Sequence, residues 1–184
     1  MTTPTDQQLA ARALEGDQNA FGELVLRYQK SVFNVCYRIM GIRQDAEDLT
    51  QEAFLRAHRK LSLYDPTRPF GPWIRVLAAN LCRNSFSGQP PPAVPLLDEH
   101  DHPGREIRRG PERALELSED HREMYRALWQ LPTHHRLAVE LRHFQGLSYQ
   151  DMAEALDLPL NTVRSHLYRG RQKLAQLLKN HEST

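Results

Sequence analysis

The sequence predicts an all-α protein of two small helical domains, joined by a flexible Pro-rich linker, with a helix-turn-helix in the C-terminal domain. Apolar residues recur every three or four positions over long stretches, which is the period of one helix face. Alternating β-branched runs and Asn-Gly or Asp-Gly hairpin turns are absent from the sequence. Proline and glycine are concentrated between positions 85 and 110, which is typical of an extended or disordered connection.

The position of the linker sets the predicted domain boundaries. We expect an N-terminal helical bundle over residues 1–86, a linker over residues 87–110 and a C-terminal domain over residues 111–184. A chain of 184 residues is long enough for two small domains. With 40% hydrophobic and 26% charged residues, its composition is globular rather than disordered.

Charge and hydropathy limit the possible classes of protein. The net charge of +1 gives no overall attraction to nucleic acid, so any such affinity must come from local patches or from a larger complex. No apolar run is long enough to cross a bilayer, and residues 1–6 lack the pattern of a secretory signal. We therefore expect a cytoplasmic protein without membrane insertion, whose Cys36 and Cys82 are reduced and buried.

The N-terminal bundle is predicted to begin with two helices. Asp6 is expected to cap a first helix that ends near Glu15, and a second helix is expected from about Gln18 to the stop signal at Gly41. The apolar positions of the second helix step by threes and fours over many turns. This pattern predicts the core helix of the bundle.

A third helix is predicted to open at Asp45, with acids in its first turn, where they favour the helix dipole. Ala46, Leu49 and Ala53 share its apolar face. The opposite face is acidic and polar and carries Asp45, Asp48, Gln51, Glu52 and Arg56. Spacing alone favours a solvated surface there.

Residues 61–70 are predicted to form a loop, and a fourth helix is predicted to start at Gly71-Pro72. Its apolar residues, Trp73 among them, are interleaved with Arg75, Asn80 and Arg83. Aromatic residues together with Arg and Asn beside a flexible loop can stack on and hydrogen-bond to unpaired bases. The alternative is that the aromatic residues fill the core of the bundle. For Trp73 the core is the favoured position.

In the C-terminal domain, helices are predicted over residues 112–130 and 134–144, with a break at Leu131-Pro132. Ser148 and Asp151 then form a Ser-x-x-Asp capping pattern, which starts the next helix. Pro159 must end that helix, because proline is not tolerated in a helix interior. A tight turn and a last helix follow.

The last helix has two different faces. Its inner face carries Val163, Leu167, Gly170 and Leu174. Its outer face and flanks carry Asn161, Thr162, Arg164, Ser165, His166, Tyr168, Arg169, Arg171, Gln172 and Lys173. There is no acidic residue between Asp157 and Glu182. A helix of this kind behind a tight turn suits the major groove of DNA, where Arg pairs with guanine and Asn or Gln with adenine. The alternative is an ordinary surface helix with a solvated basic face.

Histidine is the remaining residue type with potential chemistry. A metal-dependent enzyme would have to use His100, His102, His134 and His135, whose spacing matches no pattern of metal ligands. We therefore expect no metal, no cofactor and no catalytic residue.

A set of short motifs runs through the chain in a fixed order. In the N-terminal domain they are Gly16-Asp17, Ala20-Phe21, Tyr28, residues 45–52 with Phe54, and residues 70–74 with Ala78, Ala79 and Asn80. In the C-terminal domain they are Leu131-Pro132, Arg136, Leu141-Arg142, residues 146–149, Met152-Ala153, and residues 162–165 with Arg169 and Arg171. On these motifs the chain resembles the sigma factors of bacterial RNA polymerase, in the extracytoplasmic-function (ECF) group. The resemblance covers nearly the whole chain outside the linker.

The resemblance implies a non-enzymatic subunit that binds core RNA polymerase, directs it to promoters and helps to separate the strands. The implied contacts to core polymerase are Asp45, Asp48, Leu49, Gln51, Glu52 and Arg56. The implied contacts to the single-stranded −10 element are Tyr64, Phe70, Arg75, Asn80 and Arg83. The implied contacts to the duplex −35 element are Asn161, Thr162, Arg164, Ser165, His166, Tyr168, Arg169 and Arg171. An anti-sigma factor that holds the subunit inactive is a further implied partner.

Some positions depart from the pattern that is usual in this family. Gly71-Pro72 stands where Arg or Thr is usual, and Val76 and His166 stand where a basic residue is common. The rival hypothesis is a freestanding helix-turn-helix regulator, which would bind a palindromic duplex on its own. The acidic motif over residues 45–52 and the Trp73 helix favour the sigma factor.

Overall fold

The computed structural model describes residues 4–86 and 119–182. Within these ranges the helices are α1 (Asp6–Leu14), α2 (Gln18–Met40), α3 (Arg43–Arg59), α4 (Phe70–Phe86), α5 (Glu119–Trp129), α6 (Thr133–Val139), α7 (Tyr149–Leu156) and α8 (Leu160–Glu182). A short 3₁₀ turn covers Leu61–Leu63, and Glu140–Phe144 continues α6 with π-helical hydrogen bonding. The two ranges contain no strand, and the all-α prediction is confirmed. The predicted linker over residues 87–110, with His100 and His102, lies outside the described residues.

Several predicted helix starts differ from the structure: α4 and α6 each begin one residue earlier than predicted, and the starts of α1 and α3 differ for reasons that the structure shows. Thr5, rather than Asp6, caps α1: its hydroxyl accepts the Gln8 N–H, while the Gln8 side chain accepts the Thr5 N–H. Thr and Asp are both good caps, and Gln8 decides between them because it completes a reciprocal capping box only with Thr5. Helix α3 begins at Arg43, two positions before Asp45, directly after the left-handed Gly41 and the extended Ile42 that separate it from α2.

Helix α2 lies at the centre of the N-terminal half and packs against α1, α3 and α4. The side chains that fill this core are fully buried and include Leu24, Val32, Val35 and Ile39 from α2, Ala53 and Ala57 from α3, and Phe70 and Ile74 from α4. Cys36 and Cys82 are free thiols in the same core, as predicted. The spacing of apolar residues along α2 therefore identified the core helix correctly.

In the C-terminal half, α7, a turn and α8 form the predicted helix-turn-helix. Ser148 and Asp151 make the predicted capping box at the start of α7, and Asp157 ends this helix in the left-handed conformation with φ 51°. Val163 and Leu167 are buried on the inner face of α8. Gly170 lies so close to α6 that a Cβ there would be 3.1 Å from the carbonyl oxygen of His135. The absence of a side chain at Gly170 thus permits the close packing of α6 and α8.

The two halves also pack against each other. Helix α2 contacts α5 and α6, and α4 contacts α6 and α7. The predicted organisation, two domains on a flexible linker, did not include this contact. Local sequence patterns do not reveal it, because each contacting pair joins residues far apart in the chain.

Candidate docking and nucleic-acid interfaces

The outer face of α3 presents most of the side chains predicted for docking. Asp48 and Gln51 are exposed, and Asp45 and Glu52 are half-buried. Arg56 Nε lies 2.6 Å from Glu52 Oε1, and Asp48 Oδ1 accepts a hydrogen bond from Gln44 Nε2 at 3.3 Å. Such surface contacts contribute little to stability, so a partner can replace them at small cost.

Leu49 differs from the other predicted docking residues, because its side chain is apolar and packs against the core. Beside this face, the side chains of α2 and α3 line an open groove of about 400 Å³. Gln51 lies at its edge, and Phe21, Val25 and Leu55 supply apolar surface. Leu55 is 54% exposed, and exposed apolar surface of this kind suits a protein partner. In the sequence, the signal for this groove is Leu55, a large apolar residue on a helix face that is otherwise polar.

The five residues predicted to read the −10 element occupy three different places. Tyr64 and Phe70 lie in the core, where their ring centroids are 5.4 Å apart in an edge-to-face arrangement. Trp73 packs on both, at 5.2 Å from Tyr64 and 5.4 Å from Phe70. Tyr64 and Phe70 therefore support Trp73 and offer no exposed ring in this structure, because the loop before α4 folds them inward.

Asn80 lies in a second open groove, between the end of α3 and α4, with a volume of about 350 Å³. The half-buried Trp73 forms part of its wall, and Arg56 and Lys60 contribute positive charge. The groove thus combines an aromatic ring, an amide and two basic side chains. Trp73 is thus only partly in the core. Its ring packs against Tyr64 and Phe70 there, as expected, and the rest of the side chain lines this groove.

Arg75 and Arg83 are directed towards the C-terminal half. The Arg75 Nε donates a hydrogen bond to Gln145 Oε1 at 2.5 Å, and the Arg83 Nη1 donates one to the carbonyl oxygen of Leu156. Both arginines are half-buried. Burial, the largest effect, holds the pKa of Arg75 below its usual range, although the charges of neighbouring groups partly oppose it.

The outer face of α8 is open to solvent. The exposed residues among those predicted for the −35 element are Asn161, Arg164, Tyr168, Arg169 and Arg171. Thr162, Ser165 and His166 are half-buried. The Gln172 Nε2 donates to the Tyr168 hydroxyl at 2.8 Å, and the Arg171 Nε donates to His143 Nε2 at 2.9 Å. A basic, acid-free face on a helix behind a turn has the form that enters the major groove.

His166 does not belong to this open face. Its ring packs against His134, with the centroids 4.6 Å apart, and lies 5.8 Å from the ring of His135. Burial, the largest effect, and the neighbouring His134 and Arg169 lower the pKa of His166 to about 4. His166 is therefore neutral at pH 7 and is directed towards α6.

Metal binding and membrane insertion were both expected to be absent. Among the residues that the structure describes, no group of three or more His, Cys, Asp or Glu side chains is arranged to hold a metal ion. In the same ranges, none of the helices combines the length and the apolar character needed to cross a membrane.

The described residues thus place an acidic helix face in one half and a basic helix-turn-helix in the other. Two family models match the chain: "Sigma-70 region 2" over residues 24–89 and "Sigma-70, region 4" over residues 121–174. The chain is 35% identical to the RNA polymerase sigma-H factor of Pseudomonas aeruginosa over 97% of its length and 96% of that protein. It is 36% identical to the ECF RNA polymerase sigma-E factor of Escherichia coli K12 over 92% of each chain. The chain belongs to the RNA polymerase sigma factors of the ECF group.

Solved structures agree with this assignment. CnrH, in complex with the cytosolic domain of CnrY, matches with a TM-score of 0.62 and 25% identity, over 95% of this chain and 97% of CnrH. The sigma factor RpoE of Bartonella quintana, in complex with the anti-sigma factor NepR, has the same fold, with a TM-score of 0.60 and 21% identity over 86% and 96% of the two chains.

Proposed function

We propose that this sigma factor docks on core RNA polymerase with the outer face of α3, reads the −35 element as duplex with α8, and reads the −10 element as single strand beside α4. The observation that carries the proposal is the separation of two exposed faces of opposite character, one acidic on α3 and one basic on α8. The protein guides the polymerase and takes no chemical step of its own.

For docking, the important residues are those that combine exposure with polarity. Asp48 and Gln51 are both exposed, and the apolar groove beside Gln51 adds surface that a helical partner can bury. Glu52 and Arg56 neutralise each other within α3 and contribute mainly shape and hydrogen bonds. Asp45 and Leu49 lie at the margin of this face.

For the −10 element, the groove that contains Asn80 supplies the chemistry. The amide of Asn80 can hydrogen-bond to a base edge, the ring of Trp73 can stack on a base, and Lys60 can bind the DNA backbone. Tyr64 and Phe70 act by holding the Trp73 ring in place. Arg75 and Arg83 become available to the strand when the two halves separate.

For the −35 element, α8 enters the major groove with Arg164, Tyr168 and Arg169 towards the DNA. Asn161 and Thr162 lie at the helix N-terminus, where contacts to base edges and phosphates are usual. Ser165 and Arg171 lie on the same outer surface. His166, packed against His134, contributes by positioning α8 on α6.

Regulation by an anti-sigma factor is supported by related proteins. CnrH was solved with the cytosolic domain of CnrY, and the Bartonella RpoE with the anti-sigma factor NepR. A protein partner of this kind would compete with polymerase for the exposed faces of the chain. Because its partner is the polymerase, the proposed place of action is the cytoplasm.

The test combines a binding assay and a transcription assay with purified bacterial core RNA polymerase and a library of genomic promoter fragments. We expect stable association and new, discrete run-off transcripts that depend on this protein.

Asp48→Arg should weaken core binding without loss of helical content, since Asp48 is exposed. Glu15→Arg is the matched control, because it makes the same charge change at an exposed position at the end of α1. Equal core affinity of wild type and Asp48→Arg would refute the docking face. Tight binding of the protein alone to a palindromic duplex, without polymerase association, would instead identify a freestanding regulator.

A further inference from the structure

Three histidine rings meet where the start of α6 packs against α8. The ring centroids of His134 and His135 are 4.2 Å apart, those of His134 and His166 are 4.6 Å apart, and those of His135 and His166 are 5.8 Å apart. His134 is exposed, His166 is half-buried and His135 is only 9% exposed. These three residues, called the histidine cluster, thus run from the surface into the C-terminal domain.

His135 forms the buried end of the histidine cluster. Neither of its two ring nitrogens has a hydrogen-bond partner among the described residues. A neutral imidazole carries one N–H donor and one acceptor nitrogen, and both normally find partners when they are buried. His135 therefore holds unused hydrogen-bonding capacity beside two other titratable rings.

The histidine cluster borders the outer face of α8. Thr162, His166, Arg169 and Lys173 are spaced four, three and four residues apart, so they form one stripe along a flank of this helix. At 1.5 Å per residue the stripe is about 16 Å long. Neither the stripe nor the cluster contains an acidic residue. Because a helix nearly fills the width of the major groove, such a flank lies beside the phosphates of one DNA strand.

The surroundings of the cluster keep it neutral in the free protein. Burial, the largest effect, and the charges of His134 and Arg169 lower the pKa of His166 to about 4. Burial and the charges of His134, His166, Arg169 and Lys173 lower the pKa of His135 to about 4. Helices α5 and α7 also pack on α8, but no charged residue of either is among the main influences on the pKa of these two rings. An anion placed beside the cluster therefore meets basic groups and no competing carboxylate.

We propose that the histidine cluster is a proton-linked binding site for one backbone phosphate of the −35 duplex, in which His134 and His166 contact the phosphate and the cluster takes up one proton from solvent. The proposal rests on the proposed function. In the free protein the neutral rings of His134 and His166 hold α8 against α6. In the complex the phosphate charge favours the protonated form, and the N–H of the protonated ring donates to a phosphate oxygen.

The linkage fixes the direction of the pH dependence. A nearby phosphate raises the pKa of the cluster in the complex, whereas the free His166 stays neutral until about pH 4. Between these two values the complex binds one proton more than the free protein. Affinity for the −35 duplex therefore increases as the pH falls, by at most about tenfold per pH unit for one proton.

The first test measures the binding of holoenzyme to a labelled promoter fragment, mapped from the run-off transcripts, at constant ionic strength. His166→Gln and His134→Gln should match wild type near pH 8 and bind up to about tenfold more weakly near pH 6. His166→Arg should bind tightly at both pH values, because arginine keeps its charge throughout this range. Its advantage over wild type should therefore appear near pH 8, whereas a role in packing alone predicts weaker binding by this variant.

His58→Gln is the matched control, because it makes the same change at an exposed position on α3 in the other half of the chain. Its affinity should follow that of wild type at every pH. Each variant is compared with wild type at the same pH, so effects of pH on the polymerase itself cancel. Equal pH dependence of wild type, His134→Gln and His166→Gln would overturn the proposal.

The second test needs no variant, so it decides the question if the substituted proteins fail to fold. The ring protons of His166 are followed by NMR against pH in the full-length protein, alone, with a −35 duplex and with inorganic phosphate. The pKa of His166 should be higher with the duplex than without it, and an unchanged pKa would overturn the proposal. A rise with inorganic phosphate but not with the duplex would overturn the assignment to DNA. Absence of any promoter complex would refute the proposed function, while the titration with inorganic phosphate would still decide whether the cluster binds an anion together with a proton.

Discussion

Arg169→Ala tests whether helix α8 can lose DNA binding while the stability of the protein is unchanged. Arg169 is exposed on the outer face, two positions after Leu167, which is 1% exposed on the inner face. Loss of one base contact weakens DNA binding by about 1–3 kcal/mol, which is about 5- to 150-fold in affinity. Because an exposed surface residue is removed, we expect the free energy of unfolding to change by less than about 0.5 kcal/mol.

Leu167→Ala gives the opposite result. Removal of this buried side chain should lower the free energy of unfolding by about 2–5 kcal/mol, because it loses apolar burial and leaves a cavity. Transcription then falls only because less protein is folded. Gln176→Ala is the surface control, since it is exposed seven residues further along α8, about 10 Å from Arg169 along the axis.

The assay compares run-off transcription from a promoter with an intact −35 element and from the same promoter with that element scrambled, together with urea denaturation of each variant. We expect Arg169→Ala to lose activity on the intact promoter and little on the scrambled one. Equal loss of transcription on both templates would mean that Arg169 contacts only the DNA backbone and no base. Equal transcription by wild type and Arg169→Ala would refute the assignment of this face of α8 to the −35 element.

Three further substitutions test a glycine conformation, a helix cap and the protonation of a buried histidine. In each case the free energy of unfolding is measured by urea denaturation. Gly41→Ala should destabilise by about 1–2 kcal/mol, because Gly41 has φ +74° and a Cβ would lie 3.1 Å from Trp129 Cδ1, whereas Gly22→Ala, in open helical surroundings, should be neutral or stabilising. Ser148→Ala should cost about 0.5–2 kcal/mol through loss of the capping box, and an unchanged midpoint would show that the box is not needed. Burial, with the charges around it, lowers the pKa of His135 to about 4 in the folded state, so the unfolded chain takes up a proton first as the pH falls. Stability should therefore be lost between about pH 6.5 and pH 4, and less so in His135→Gln; an equal loss in both proteins would contradict this origin.

The features that were predictable from the sequence are those that depend on neighbours within one or two turns. Val163 and Leu167 are buried because their spacing places them on one face, and Ser148 caps α7 because Asp151 stands three positions later. Gly41 ends α2 because it adopts a left-handed conformation, which glycine reaches without strain. Each of these outcomes follows from local chemistry.

The features that were not predictable depend on residues distant in sequence. Glu140 looks like an ordinary surface residue of a helix, yet it is almost fully buried against Arg38, 102 positions away. Likewise, Tyr64 and Phe70 stand on either side of a Pro-containing stretch that reads as an exposed loop, and only the packing of α4 on the rest of the bundle brings both into the core. His166 lies on the polar side of α8 by spacing, but the ring of His134 lies close enough to partly cover it.

The carbonyl groups at the C-terminal end of α2 are bonded by donors from the other half of the chain, and this couples the unfolding of the two halves. The Tyr37 and Ile39 carbonyls accept from Trp129 and Arg136, so undocking of the C-terminal half releases both at once. Loss of these donors should let the last turn of α2 fray, so the amides of that turn should exchange through the same opening as the undocking of α5, while the first turns of α2 follow the global unfolding of the N-terminal half. The exchange rates of the amides at the C-terminal end of α2 would thus measure how often the C-terminal half undocks.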